Sequence, residues 1–149
     1  MDSNINGFND HLKNTGYSLT NQRQLVFNFL VGQEPVSMNE LIQRLKNKLD
    51  RASIYRTIIL FEKLGIVHKL NIGWKYKIEL TDMFAEHHHH LTCLNCSNVI
   101  PINQNKLENF IKNIGGEYNF QVQSHIIEMQ GLCKACFDYK NMKHSSAPA

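Results

Sequence analysis

A chain of 149 residues with 42% hydrophobic and 19% charged side chains can bury one substantial core or two small ones, and its balance is that of a soluble globular protein. No apolar run approaches the roughly 18 residues of a membrane span, and Met1-Asp2-Ser3-Asn4 lacks the basic start and apolar core of a signal peptide, so a cytoplasmic protein with no membrane partner is expected. The formal charge of +3 is uneven: residues 1–80 carry 11 Lys and Arg against 7 Asp and Glu, whereas residues 81–149 carry 5 against 6, which places the positive surplus in the first half.

In chain order, a short amphipathic stretch over Phe8–Lys13 is followed by Gly16 and a second helix from Asn21, where Asn21 and Gln24 have the spacing of a capping pair. Leu25, Val26, Phe29 and Leu30 recur at helical spacing, and Gly32 ends that helix. Ser37-Met38-Asn39-Glu40 is a capping box for a third helix with the apolar stripe Met38, Leu41, Ile42, Leu45 and Leu49. Asp50 is the expected N-cap of a fourth helix over Arg51–Leu64, with Ile54, Ile58, Phe61 and Leu64 inward and Arg51, Ser53, Tyr55 and Arg56 exposed near its start. Ile66–Leu70 and Trp74–Leu80 read as two strands joined at Asn71-Ile72-Gly73.

Helices followed by a basic hairpin are the plan of a winged helix-turn-helix, whose last helix enters the major groove with its N-terminal residues nearest the bases. Arg56 is suited to guanine edges, Tyr55 to a thymine methyl, and Arg51, Lys69, Lys75 and Lys77 to phosphates. The plain alternative is that these are solvated surface residues, as exposed Lys and Arg usually are.

After a hinge over residues 81–86, the second half opens with His87-His88-His89-His90 and then Cys93-x-x-Cys96, matched later by Cys133-x-x-Cys136. These are the chain's four cysteines, and two such knuckles with nothing left over point to a closed four-thiolate zinc site. In an extended histidine run the side chains alternate, so His87 and His89 point one way and His88 and His90 the other, and one strand can serve two metals. A short strand near Val99–Ile102, a helix over Gln104–Ile114 ended by Gly115-Gly116, and a last strand over Phe120–Gln130 complete the half. On that strand His125, Ile127 and Met129 share a face, and residues 139–149 read as a disordered tail. His11 and His144 read as surface residues.

Taken together, Leu19-Thr20-Asn21-Gln22-Arg23, Ala52-Ser53-Ile54-Tyr55-Arg56-Thr57, Gly65-Ile66-Val67, the histidine run and both knuckles resemble the ferric uptake regulator superfamily of bacterial metal-sensing repressors over nearly the whole chain. The resemblance implies an α+β protein: a winged-helix DNA-binding domain over 1–80, the 81–86 hinge, and a small α/β dimerisation domain over 87–138 that holds the four-cysteine zinc. It implies a homodimer that binds a palindromic operator when loaded with a regulatory divalent metal. Position-matching nominates Glu108 and His125 to join His87 and His89 inside the second domain. It nominates Glu79, and suggests His68, to join His88 and His90 in a sensor site between the domains.

The chain departs from the iron-sensing pattern in two places: Glu34-Pro35 stands where those proteins usually carry a ligand histidine, leaving His68 or Glu34 to complete the sensor, and position 89 is His where Asp is frequent. Imidazole-rich tetrahedral sites suit zinc, and more carboxylate suits iron or manganese. With Val67-His68-Lys69 and the run from Ile127 to Cys133, these features look closest to the zinc uptake regulator branch, so Zn2+ is favoured over Fe2+ and Mn2+. Against that, zinc sensors often place Cys where Glu79 stands. Each ligand also has a plain alternative: a hydrogen-bonded His68, a solvated Glu79, a Glu108 paired with Lys112 at i+4. An iron sensor, a manganese or peroxide sensor, a zinc buffer and a zinc hydrolase are the other readings; the last lacks HExxH spacing and an obvious general base near the cluster and leaves the DNA-reading half unexplained, so no small-molecule substrate is expected.

Overall fold

The computed structural model describes residues 2–102 and 105–145, and the chain divides into two compact units, Met1–Glu86 and His87–Ala149. The first unit holds α1 (Asp2–Asn14), α2 (Asn21–Leu30), α3 (Met38–Leu45), α4 (Arg51–Lys63) and the hairpin β1 (Val67–Ile72) and β2 (Lys75–Leu80). The second holds β3 (His89–Cys93), β4 (Val99–Ile102), α5 (Asn105–Glu117), β5 (Glu128–Gly131) and α6 (Lys134–Ser145). No described helix is long and apolar enough to cross a membrane.

Side-chain caps set the helix starts in the first unit. Ser37 accepts from the Glu40 amide and Asp50 from the Ser53 amide, as their spacing predicts. Helix α2 differs: its cap is Thr20, which accepts from the Arg23 amide, and Asn21 is already the first helical residue. Helix α4 ends where Gly65, at φ +67°, lets its amide reach Glu62 O and the Ile66 amide reach Phe61 O, a reversal that leads into β1. In the hairpin Ile72 pairs with Lys75, so the turn is Gly73-Trp74, one residue beyond the expected position, with Gly73 at φ +59°.

The core of this unit is aromatic at its centre. Phe8 stacks on Phe27 with centroids 4.0 Å apart, and Phe61 meets Phe8 edge-on at 5.4 Å. Val26, Phe27 and Leu30 form the buried face of α2, while Leu25 and Phe29 are partly buried against it. Residues 81–86 are anchored here: Phe84 is buried and meets Phe27 edge-on at 5.3 Å, and Thr81 Oγ1 donates to Gly65 O. His11 is half-buried and hydrogen-bonds Leu64 O through Nε2 at 2.8 Å, a tie beyond α4 that its reading as a surface residue missed.

The second unit is a three-stranded sheet in the order β4-β3-β5, antiparallel between β3 and β4 and parallel between β3 and β5. Three expectations are corrected in it. Helix α5 runs through Gly115 and Gly116 to Glu117, because a Cβ on buried Gly115 would lie 2.6 Å from Phe120 O and 2.9 Å from Val122 Cγ2, so the glycine serves close packing and not a stop. The last strand begins only at Glu128, level with His90 near the start of β3, and leaves His125 on the irregular segment ahead of it. Lys134–Ser145 is helical, so residues 139–145 are not the expected disordered tail. The expected helix start at Gln104 and tail residues 146–149 lie outside the described residues, as does the side chain of His144.

Candidate metal centres

The two knuckles are built by strand ends. Cys93 closes β3, its amide donates to Asn98 O, and the Ser97 amide returns to Cys93 O with Ser97 at φ +60°, which curls Cys96 back toward Cys93. The Leu94 amide donates to Gly131 O, tying this turn to the end of β5 and so to the second knuckle. There Cys133 precedes α6 and accepts from the Phe137 amide through its carbonyl, which sets Cys136 on the first helical turn.

The four Sγ atoms lie within 4.8 Å of one another, with Cys96 and Cys133 3.8 Å apart. A tetrahedral zinc with Zn–S near 2.3 Å requires sulfur-to-sulfur edges of about 3.8 Å. All four cysteines are free of disulfides. The site also prepares one thiolate: amide hydrogen bonds, the Cys133 N–H first and then Cys96, bring the Cys93 thiol down to about 6. At Cys136 the Asn95 Nδ2 donor, 3.2 Å away, favours the thiolate, but the hydrogen bond with Cys133, burial, and the bonds with Cys96 and Cys93 outweigh it and push the thiol up to about 11. Four thiols this close lose their protons together only opposite a cation.

The second cluster draws on His87, His89, Glu108 and His125. His89 leads β3 and is buried, His87 precedes it, Glu108 stands in the first turn of α5, and His125 enters from the segment before β5. Glu108 Oε1 lies 2.8 Å from His89 Nε2 and 3.4 Å from both His87 Nε2 and His125 Nε2. His125 Nε2 is 3.1 Å from His87 Nε2 and 3.4 Å from His89 Nε2. A tetrahedral zinc with bonds near 2.0–2.1 Å requires ligand edges of about 3.3–3.4 Å; the three 3.4 Å separations match, and the 2.8 and 3.1 Å contacts are hydrogen-bond distances that an ion would open by a few tenths of an ångström. The hydrogen bond from His89, followed by the positive charge available on His125 and His87, holds the Glu108 carboxyl below the usual glutamate range. Glu108 therefore belongs to the imidazoles, and no ion pair between it and Lys112 is found among the described residues.

The remaining nominated ligands form a pair within each unit. In the first, His68 and Glu79 are cross-strand partners, and His68 Nε2 lies 2.8 Å from Oε1 of the buried Glu79, which is thus not the solvated strand residue its phase allowed. In the second, the rings of His88 and His90 lie 4.6 Å apart, while those of His87 and His89 are 4.8 Å apart. The run pairs alternate residues, as extended backbone requires. Glu34 is exposed in the loop before α3.

On the nominated DNA face, Arg51 and Arg56 are exposed on the first turns of α4, and the Arg51 guanidinium lies 5.5 Å from the ring centroid of half-buried Tyr55. Ser53 is corrected: it is 3% exposed, donates to Asp50 Oδ2 at 2.6 Å and accepts from Arg56 Nη2 at 3.0 Å, so it orients Arg56 and is not itself open to a ligand. The Ser53 hydrogen bonds also hold the Asp50 carboxyl below its ordinary range. Lys69 is engaged by Glu62 at 2.6 Å, whereas Lys75 is exposed and Lys77 half-buried. Sequence reasoning missed Asp50 as the anchor of Arg56 and Asn95 as a donor to Cys136; the i+3 spacing of Asp50, Ser53 and Arg56 was the available signal for the first.

Comparison with known proteins gives this architecture its relatives. The chain is 28% identical over 143 residues to the ferric uptake regulation protein of Bacillus subtilis, covering 91% of this chain and 96% of that one. It is 28% identical over 131 residues to the peroxide-responsive repressor PerR of Staphylococcus saprophyticus, covering 85% and 87%. The fold matches the ferric uptake regulator of Helicobacter pylori, a structure described as revealing three functional metal binding sites, with a TM-score of 0.76 at 24% identity over 91% of this chain and 93% of that one. These relatives are regulators, not enzymes. The model of the ferric uptake regulator family matches residues 14–130, from the end of α1 to β5, and the chain belongs to that family.

Proposed function

We propose that the chain is a cytoplasmic transcriptional repressor that binds palindromic operator DNA as a homodimer, through its winged-helix unit, when a regulatory metal is bound, and that zinc is the metal it reads to control metal-uptake genes. The observation that carries this reading is the convergence of His87, His89, His125 and Glu108 at zinc-sized edges beside a separate four-thiolate cluster. A protein that only needed a zinc staple would not require the second cluster. Dimerisation is supported by the second unit itself, where Leu91, Ile100, Phe110, Phe120, Ile126 and Met129 are all exposed while few side chains are buried. A unit this small needs a metal, a partner or both to cover its apolar surface.

The thiolate zinc would be held by Cys93, Cys96, Cys133 and Cys136 as a closed structural site. The sensor proposed here is a different ion, bound by His68 and Glu79 from the first unit and His88 and His90 from the second. An ion biases a conformational equilibrium only by binding one state better, and donors drawn from two units discriminate between their orientations directly. At the DNA, Arg56 and Tyr55 would meet base edges and Arg51, Lys75 and Lys77 phosphates, with Ser53 and Asp50 holding Arg56 in place.

The test is a DNA-binding titration of the protein carrying its thiolate zinc, with Zn2+, Fe2+ and Mn2+ added in turn at buffered free concentrations. Zinc should give operator binding at the lowest occupancy threshold. A second reading, iron sensing, is favoured by the name of the Bacillus subtilis relative; it would be established if Fe2+ drove binding under conditions where zinc did not. Operator binding independent of all three metals would refute the sensor.

A further inference from the structure

The chain's single tryptophan stands where nothing in the protein's packing requires it. Trp74 is the second residue of the two-residue turn between β1 and β2 and is 90% exposed, the most exposed of the large hydrophobic side chains among the described residues. Gly73 supplies the positive φ at the first turn position, so the second needs no special backbone and is normally a small polar residue. The indole is not alone: Lys75 Nζ lies 4.8 Å from its ring centroid. Just behind, Lys69 Nζ lies 5.1 Å from the ring centroid of exposed Tyr76.

The hairpin tip is thus an apolar plate edged by cations. Beyond the buried Glu79 near its base, the hairpin from Val67 to Leu80 carries no acidic residue and has Lys69, Lys75 and Lys77. Its charge calls for an anionic partner, and its indole calls for an apolar face on that same partner. Duplex DNA offers both along the minor groove, where proteins place Lys or Arg against the phosphates and apolar wedges against sugars and base steps.

We propose that Trp74 is a DNA-contacting residue: the hairpin tip inserts the indole against the sugar edges of the minor groove flanking the operator while Lys75 takes the adjacent phosphate. The inference rests on the regulator reading above and adds to it a contact outside the α4 face. It makes the tip a determinant of flanking-sequence preference, since the width and deformability of the minor groove depend on sequence.

A single tryptophan permits a direct test, using the full-length protein loaded with spectroscopically silent zinc. On adding operator duplex with flanks, Trp74 emission should shift to the blue and acrylamide quenching should fall at least about twofold, as for an indole leaving water. Trp74→Ala, which removes no core contact, should weaken binding of the flanked operator about tenfold and lose the difference between A·T-rich and G·C-rich flanks, with Trp74→Phe intermediate. Operator bound with unchanged emission and quenching overturns the proposal and leaves the regulator intact, as does a Trp74→Ala protein that binds like the wild type. Emission that shifts with anionic vesicles but not with operator assigns the tip to a lipid surface and overturns it too. Failure of the protein to bind operator with Zn2+, Fe2+ and Mn2+ alike overturns the regulator reading, and this one with it.

Discussion

His89 Nε2 lies 2.8 Å from Glu108 Oε1, joining the first residue of β3 to the first turn of α5, and the same carboxylate oxygen is 3.4 Å from His87 and His125. One carboxylate oxygen therefore meets three imidazoles, and the same oxygen would be a donor to an ion held by this cluster. The two roles separate with pH. Because Glu108 is held below its ordinary value, it contributes stability that is complete above the unfolded value of about 4.3 and is lost as pH falls through the lower folded value. In protein stripped of metal at the histidines but keeping its thiolate zinc, Glu108→Gln should lower the urea midpoint near pH 7, and the gap should close below about pH 4. A gap that persists unchanged in acid would show that the imidazoles do not hold this carboxylate.

The thiolate cluster predicts a different failure. Cys96 is the exposed member of the set and sits 3.8 Å from Cys133, so Cys96→Ser leaves three thiols with no tetrahedral closure. Structural zinc contributes folding free energy, and the second unit buries little else. The variant should lose its zinc and its second-unit structure while the first unit keeps its helical signal. A folded Cys96→Ser protein with wild-type zinc content would remove the structural role.

Local signals were legible where one side chain decides the outcome. Ser37 and Asp50 cap helices because their spacing to the first free amides is fixed by covalent geometry, and the apolar stripe of α4 placed Ile54, Ile58 and Phe61 in the core. The four cysteines and the pairing of alternate histidines were legible from spacing, whereas Glu108, His125, Glu79 and His68 came from resemblance. What stayed illegible depends on distant partners. Gly115 reads as a helix stop until Phe120 O is known to lie against it, and residues 120–127 alternate like a strand, yet the pairing with β3 starts only at Glu128 opposite His90. Gly115→Ala tests the first point: a Cβ 2.6 Å from backbone should destabilise the protein by about 1–3 kcal/mol, whereas the exposed Gly116, with open space around it, should accept Ala at little cost.

Ser53 was misread although its cap was foreseen, because its hydroxyl is closed off by the Asp50 and Arg56 side chains on either side of it. With Asp50 and Arg56 both bonded to Ser53 Oγ, the guanidinium is held before DNA arrives. Arg56→Ala should lose about 1–3 kcal/mol of sequence discrimination. Ser53→Ala should lose a fraction of the same discrimination with little change in binding to random DNA, because it frees Arg56 without removing it. Lys69, already paired with Glu62, should contribute less to DNA affinity than Lys75, measured as the change in salt slope for each Lys→Ala variant. Equal losses of Arg56→Ala on specific and random duplexes would reduce that side chain to a phosphate contact.

The histidine run allows the proposed sensor to be tested apart from the other histidine cluster. His89 and His90 are adjacent and both buried, yet alternation gives His89 to Glu108 and His125 and pairs His90 with His88. Chemistry and position along the chain are thus nearly constant between the two, and only the direction of the side chain differs. If the ion that sets operator binding takes His88 and His90 together with His68 and Glu79, His90→Ala should abolish zinc-dependent operator binding and leave the dimer intact. His89→Ala should loosen the second unit, lower its melting temperature and shift the zinc response without abolishing it, because an ion held there would have all its donors in one unit and could not by itself favour one orientation of two. Dimerisation by sedimentation and operator binding by anisotropy, at the same buffered free zinc, measure both. A His90→Ala protein with wild-type zinc dependence would move the sensor to the His87, His89, Glu108 and His125 site.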